Sequence, residues 1–107
     1  MIGLNARALS VVIEFKNPRG ARAMASQTIA DLRSGSYALK RFAVPGIPDA
    51  QAAASSTAND KALSIAFADG RFWYLVSVRY PPKAAKPPQR TSLIAAARIL
   101  YRRVHAA

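Results

Sequence analysis

The sequence holds one histidine, His105, five carboxylates, Glu14, Asp31, Asp49, Asp60 and Asp69, and no cysteine. A histidine meeting a carboxylate and a nucleophile would permit acid–base catalysis, and clustered carboxylates would hold a hard cation. The spacing supports neither. The acids stand scattered, roughly one to a segment, and Asp69 is explained by the turn it shares with Gly70. His105 falls in the last turn of a helix, where fraying and solvent hold a side chain poorly. Gly-rich phosphate loops and zinc-ligand spacings are absent, and without cysteine there is no disulfide, thiolate site or thiol nucleophile. Only long-range pairing in the fold could bring two carboxylates together. The expectation is a non-enzyme with no cofactor and no metal.

Basic chemistry is plentiful. Sixteen Lys and Arg stand against five Asp and Glu, a net charge of +11. Residues 1–35 hold five bases and two acids, residues 36–70 three of each, and residues 71–107 eight bases and no acid. Those eight, Arg71, Arg79, Lys83, Lys86, Arg90, Arg98, Arg102 and Arg103, are the candidate surface for an anionic macromolecule: an acidic protein, an anionic lipid surface or nucleic acid. The plainer alternative is a solvated face that keeps a small domain soluble. Arginines in a last helical turn also complement the helix dipole, so part of the cluster has a structural explanation.

Arg71-Phe72-Trp73-Tyr74-Leu75-Val76-Ser77-Val78-Arg79 mixes aromatic rings with terminal arginines, the material of a base-stacking platform with phosphate contacts. It lacks the small residue between aromatics that an RNA-recognition strand uses. Strand alternation sends Phe72 and Tyr74 to a core and leaves Trp73 as a stacking or interface candidate. The competing reading packs Trp73 beneath the Ala/Ser-rich segment or in a dimer interface.

The elements that must position these groups follow from periodicity. One hundred and seven residues make one domain, able to bury about two-thirds of its unfolded surface. With 51% hydrophobic and 20% charged residues it is too apolar for disorder. Leu9, Val11, Ile13 and Phe15 alternate with Ala8, Ser10, Val12 and Glu14, predicting a strand with one face on a core. Asn17-Pro18 reads as an N-cap and first helical position. The helix that follows has Ala21, Met24, Ala25, Thr28, Ile29 and Leu32 on one stripe, and Gly35 stops it. A second strand runs from Tyr37 to Val44 and ends at Pro45-Gly46-Ile47-Pro48. Residues 49–60, small and without periodicity, are expected to be a mobile loop or a weak edge strand.

Asp69-Gly70 between two β-rich runs predicts a hairpin with a type I′ turn, Phe67 opposite Phe72 and Ile65 opposite Tyr74. Residues 81–90 form a Pro/Lys connector, extended and stiff. Thr91 or Ser92 then caps a helix whose buried stripe is Leu93, Ala97, Leu100 and Val104, flanked by Ile94 and Tyr101. The fold class expected is α+β: a two-layer sandwich, a mainly antiparallel sheet of four to five strands with two helices packed on one face.

Three segments carry a resemblance. Phe42-Ala43-Val44-Pro45-Gly46-Ile47-Pro48-Asp49-Ala50, Phe67-Ala68-Asp69-Gly70-Arg71-Phe72-Trp73-Tyr74-Leu75-Val76, and Ser92-Leu93-Ile94-Ala95-Ala96-Ala97-Arg98-Ile99-Leu100-Tyr101-Arg102-Arg103-Val104 resemble parts of cell-envelope lipoproteins of high-GC Gram-positive bacteria. The likeness covers about the last two-thirds of the chain and consists of turn and core patterns. It implies an exported, non-catalytic domain behind a lipidated or cleaved leader, and it carries over no functional residue. Composition leaves the compartment open: extracytoplasmic if a leader has been trimmed, cytoplasmic otherwise. The functional expectation is a binding domain with a basic C-terminal surface. The alternative is a sequence-nonspecific nucleic-acid binder using Arg and Lys on phosphates and Trp73 for stacking. Both leave room for a homodimer.

Overall fold

The computed structural model describes residues 7–34, 38–57, 60–83 and 87–106. They form β1 (Arg7–Glu14), α1 (Pro18–Ser34), β2 (Ala38–Arg41), β3 (Gln51–Ser56), β4 (Lys61–Asp69), β5 (Phe72–Tyr80) and α2 (Arg90–Ala106). The class is α+β, as expected: one five-stranded sheet in the order β1-β5-β4-β3-β2, every neighbour antiparallel, with two helices. The strands from β2 to β5 run as a meander, and β1 closes on β5. The chain must therefore cross the whole sheet between β1 and β2, and α1 is that crossing.

Asn17 caps α1 as its sequence suggests, its Oδ1 accepting the Gly20 amide at 3.0 Å. Ala21 and Ala25 let the helix approach the sheet closely, where they pack with Ala66 and Trp73 beside Val11, Phe15, Met24 and Leu75. The other cluster joins Ile65, Phe67, Tyr74 and Val76 to Ala97, Leu93, Leu100 and Tyr101 of α2. Phe67 stacks on Tyr74 at 5.0 Å and meets Tyr101 edge-on at 5.7 Å.

These two clusters correct the expectation that both helices share a face. Ile65 and Phe67 point to one side of β4 and Ala66 to the other, so α2 and α1 lie on opposite faces. The cause is in β4 itself, where Ala62 to Phe67 are all buried. A strand apolar on both sides needs two covers. Three layers, not two, result.

The segment expected to be a mobile loop or edge strand is instead β3, an interior strand paired with β2 on one side and β4 on the other. Ala52, Ala53 and Ser55 are buried there. Their small side chains give no β signal of their own, and two neighbouring ladders supply the strand. β1 departs in the opposite direction. It is an edge strand whose Leu9, Val12 and Ile13 remain 55%, 58% and 40% exposed, so of the expected stripe Val11, and Phe15 just past the strand, pack on a core.

The hairpin register also shifts. Asp69 lies opposite Phe72, Phe67 opposite Tyr74 and Ile65 opposite Val76. The two-residue loop is therefore Gly70-Arg71, with positive φ at Gly70 (59°) and not at Arg71, the pattern of a type II′ turn. The slip from the expected pairing is two residues, an even number, so every side chain keeps its expected face.

Candidate functional site

The last helix starts where the connector's prolines end. The Ser92 and Leu93 amides donate to the Gln89 carbonyl at 3.1 and 3.3 Å, so the helix begins slightly earlier than a Thr91 or Ser92 cap implies. Its buried stripe is the expected one, and the six residues named from sequence all pack on the α2 core. That orientation fixes the arginines outside: Arg98, Arg102 and Arg103 are exposed, on a helix that contains no Asp or Glu. Among the described residues none of the three is in an ion pair.

Two neighbours steady this cationic face. The turn at 45–48 places Gly46, φ 93°, against Arg98, and a Cβ there would fall 2.8 Å from Arg98 Nε. Ile47, buried in the α2 core, anchors the turn. At the helix start the Arg90 guanidinium lies 5.0 Å from the centre of the Phe42 ring, a cation–π contact that leaves its charge intact.

Two of the other predicted basic residues, Arg71 and Arg79, are not brought to this face. Arg71, at the hairpin tip, pairs with Glu14 and lies 5.8 Å from the Phe72 ring. Arg79 shares the parity of Trp73 on β5 and so belongs to the α1 side of the sheet, with Asp60 at 3.9 Å and Arg7 directly across the ladder. Lys83 is exposed in the connector, and Lys86 lies outside the described residues. The seven described bases of the C-terminal third are thus distributed over α2, the α1 side of the sheet, the hairpin tip and the connector.

Trp73 is buried and not presented to solvent as a stacking platform requires. It is 4% exposed beneath α1, and its Nε1 has no hydrogen-bond partner among the described residues. The expected direction, away from the α2 core, is correct. What covers it is the helix of the opposite layer, which the one-face expectation had placed elsewhere.

His105 is better held than its position suggests. Its Nδ1 lies 2.8 Å from Asp69 Oδ1, and its ring stacks on Tyr101 at 5.0 Å and 14°. The Tyr101–His105 spacing of four is the only local signal for this; the hairpin tip that supplies Asp69 is remote in sequence. Asp69 also borders a cleft of about 400 Å³ with Arg22, Ser26, Asp49 and Gln51, in which Asp49 has φ 56°. Burial, and then the Asp69 carboxylate, push the Tyr74 phenol above its ordinary value of 10.0. Among the described residues no three His, Asp or Glu side chains gather as metal ligands, and no helix is long and apolar enough to cross a membrane.

Compared with protein-family models, curated proteins and solved structures, the chain has no significant match in any of the three.

Proposed function

We propose that this chain is a non-catalytic binding domain that docks an anionic macromolecule or surface on α2. The observation that carries this is the exposed set Arg98, Arg102 and Arg103 on a helix without a carboxylate, held outward because the opposite stripe is locked into the sheet. Unpaired guanidiniums on a rigid helix are pre-organised for closely spaced negative charge, and each forms bidentate hydrogen bonds to phosphate or carboxylate. The nucleic-acid alternative loses its aromatic component because Trp73 is enclosed, and phosphate contacts alone would serve it. An exported envelope domain, as the lipoprotein resemblance implies, would meet anionic lipid or polymer with the same face.

Three probes test the proposal: phosphatidylglycerol vesicles, single- and double-stranded DNA, and polyglutamate, each at low and near-physiological salt. Association that weakens steeply with salt supports it, and the preferred probe names the partner class. Failure of all three to bind at low salt contradicts it.

A further inference from the structure

The α1 side of the sheet changes character along its length. Near the hairpin turn it is filled by Trp73, Leu75, Ala66 and Met24. Toward the β3–β4 turn the floor is hydroxylic: Ser55 on β3, Ser64 on β4 and Ser77 on β5. Small side chains cannot close the gap to α1, and a cleft of about 290 Å³ remains. Thr28 and Asp31 of α1 lie above it, and Asp60 and Arg79 stand at its mouth.

The hydrogen-bonding state of this floor points to a ligand. Ser64 and Ser77 share one bond at 2.9 Å, and the Thr28 hydroxyl donates to the Met24 carbonyl at 2.8 Å. Ser55 is 8% exposed, lines the cleft, and has no side-chain hydrogen bond among the described residues. The residue is largely enclosed, yet its Oγ stays open to the cleft and is left to pair with whatever fills that volume.

We infer that this cleft binds a small neutral polyhydroxylated molecule, of monosaccharide or cyclitol size. Each serine can donate and accept at once, which matches a ligand whose own groups do both. At the mouth the Asp60–Arg79 pair, 3.9 Å apart, brings no net charge, and the Asp60 carboxylate can accept from adjacent hydroxyls of such a ring. Leu9, Leu75 and Ala62 supply the apolar wall for its carbon edges. The volume lies at the small end of ligand pockets, which start near about 300 Å³, so an oligomer would enter by one unit only. The site lies across the sheet from α2 and is independent of the anion-docking proposal.

The test is a titration of the ¹⁵N-labelled chain with glucose, galactose, mannose and myo-inositol into the high millimolar range, with sodium phosphate as the anionic control. Saturable shifts at the amides of Thr28, Ser55, Ser64 and Ser77 for at least one polyol are expected. Ser55→Val, which fills the cleft, and Ser64→Ala, which only removes a hydroxyl, should each abolish or weaken them by about tenfold or more while the spectrum stays dispersed. The inference is overturned if none of the four polyols gives saturable shifts there, if both variants bind as the parent does, or if phosphate moves those amides more than the polyols do.

Discussion

His105 and Asp69 are 36 positions apart in sequence and 2.8 Å apart in space, Nδ1 to Oδ1, joining the end of α2 to the tip of the β4–β5 hairpin. With Tyr101 stacked on the imidazole, the contact clamps the turn of α2 that carries Arg102 and Arg103. The histidine side chain is 62% exposed, so solvent screening limits what the pair contributes. His105→Ala should lower global stability by under about 1 kcal/mol. Its larger effect is local: amides from 101 to 106 should exchange faster than in the parent while the sheet amides are unchanged. Equal exchange in both proteins would mean the clamp is not made in solution.

Gly70 takes φ 59° at the first position of the Gly70-Arg71 loop, and a Cβ there would meet nothing within 4 Å. Space is therefore free and conformation alone is at stake. Gly70→Val should cost about 1–2 kcal/mol, seen as a lower urea midpoint with an unchanged slope. A neutral substitution would rule out the type II′ turn.

Trp73 is the only tryptophan, so its emission reports its own burial. Emission should be blue-shifted, resistant to iodide, and unmoved when DNA is added. Quenching by an oligonucleotide would restore the stacking role. Trp73→Ala should cost about 3–5 kcal/mol. Trp73→Phe should cost much less, because it removes a donor whose unpaired burial costs about 1–3 kcal/mol.

The Tyr74 phenol titrates above 10.0 when folded, so the unfolded chain releases that proton first as pH rises. The unfolded state then binds fewer protons than the native one, and stability must fall with pH. The contribution is intact below about pH 10 and is lost as pH climbs through the folded value. Denaturant midpoints across alkaline pH should show this decline, and Tyr74→Phe should flatten it. An identical decline in the variant would place its origin elsewhere.

The face of every hairpin side chain was legible, because period-two alternation survives an even slip in register; the slip itself came from the strong Asp69-Gly70 signal. Tertiary context decided what was not legible. Ala52, Ala53 and Ala54 have no strand propensity and become β3 only between two ladders. The opposite placement of the helices turns on Ala66, Ala68 and Leu75, whose modest side chains concealed a second apolar face. Of the candidate surface, the α2 arginines could be read from helical spacing. The separation of Arg79 from them follows from its sharing a face with Trp73, a parity that mattered only once α1 was known to cover that side. The Asp69–His105 contact needed the fold.

The most direct test of the anion-docking claim compares two variants that each remove three positive charges. Arg98→Gln/Arg102→Gln/Arg103→Gln strips α2, and Lys40→Gln/Arg41→Gln/Lys61→Gln strips exposed residues of β2 and β4. Both should keep the parent's far-UV spectrum, the altered residues being exposed. Binding to the probe the parent prefers is then measured by fluorescence anisotropy across a salt series. The α2 variant should bind at least about tenfold more weakly, with a shallower salt dependence, while the β2/β4 variant stays within about threefold of the parent. Equal losses in both variants would show that net charge alone drives association and would contradict α2 as the docking face.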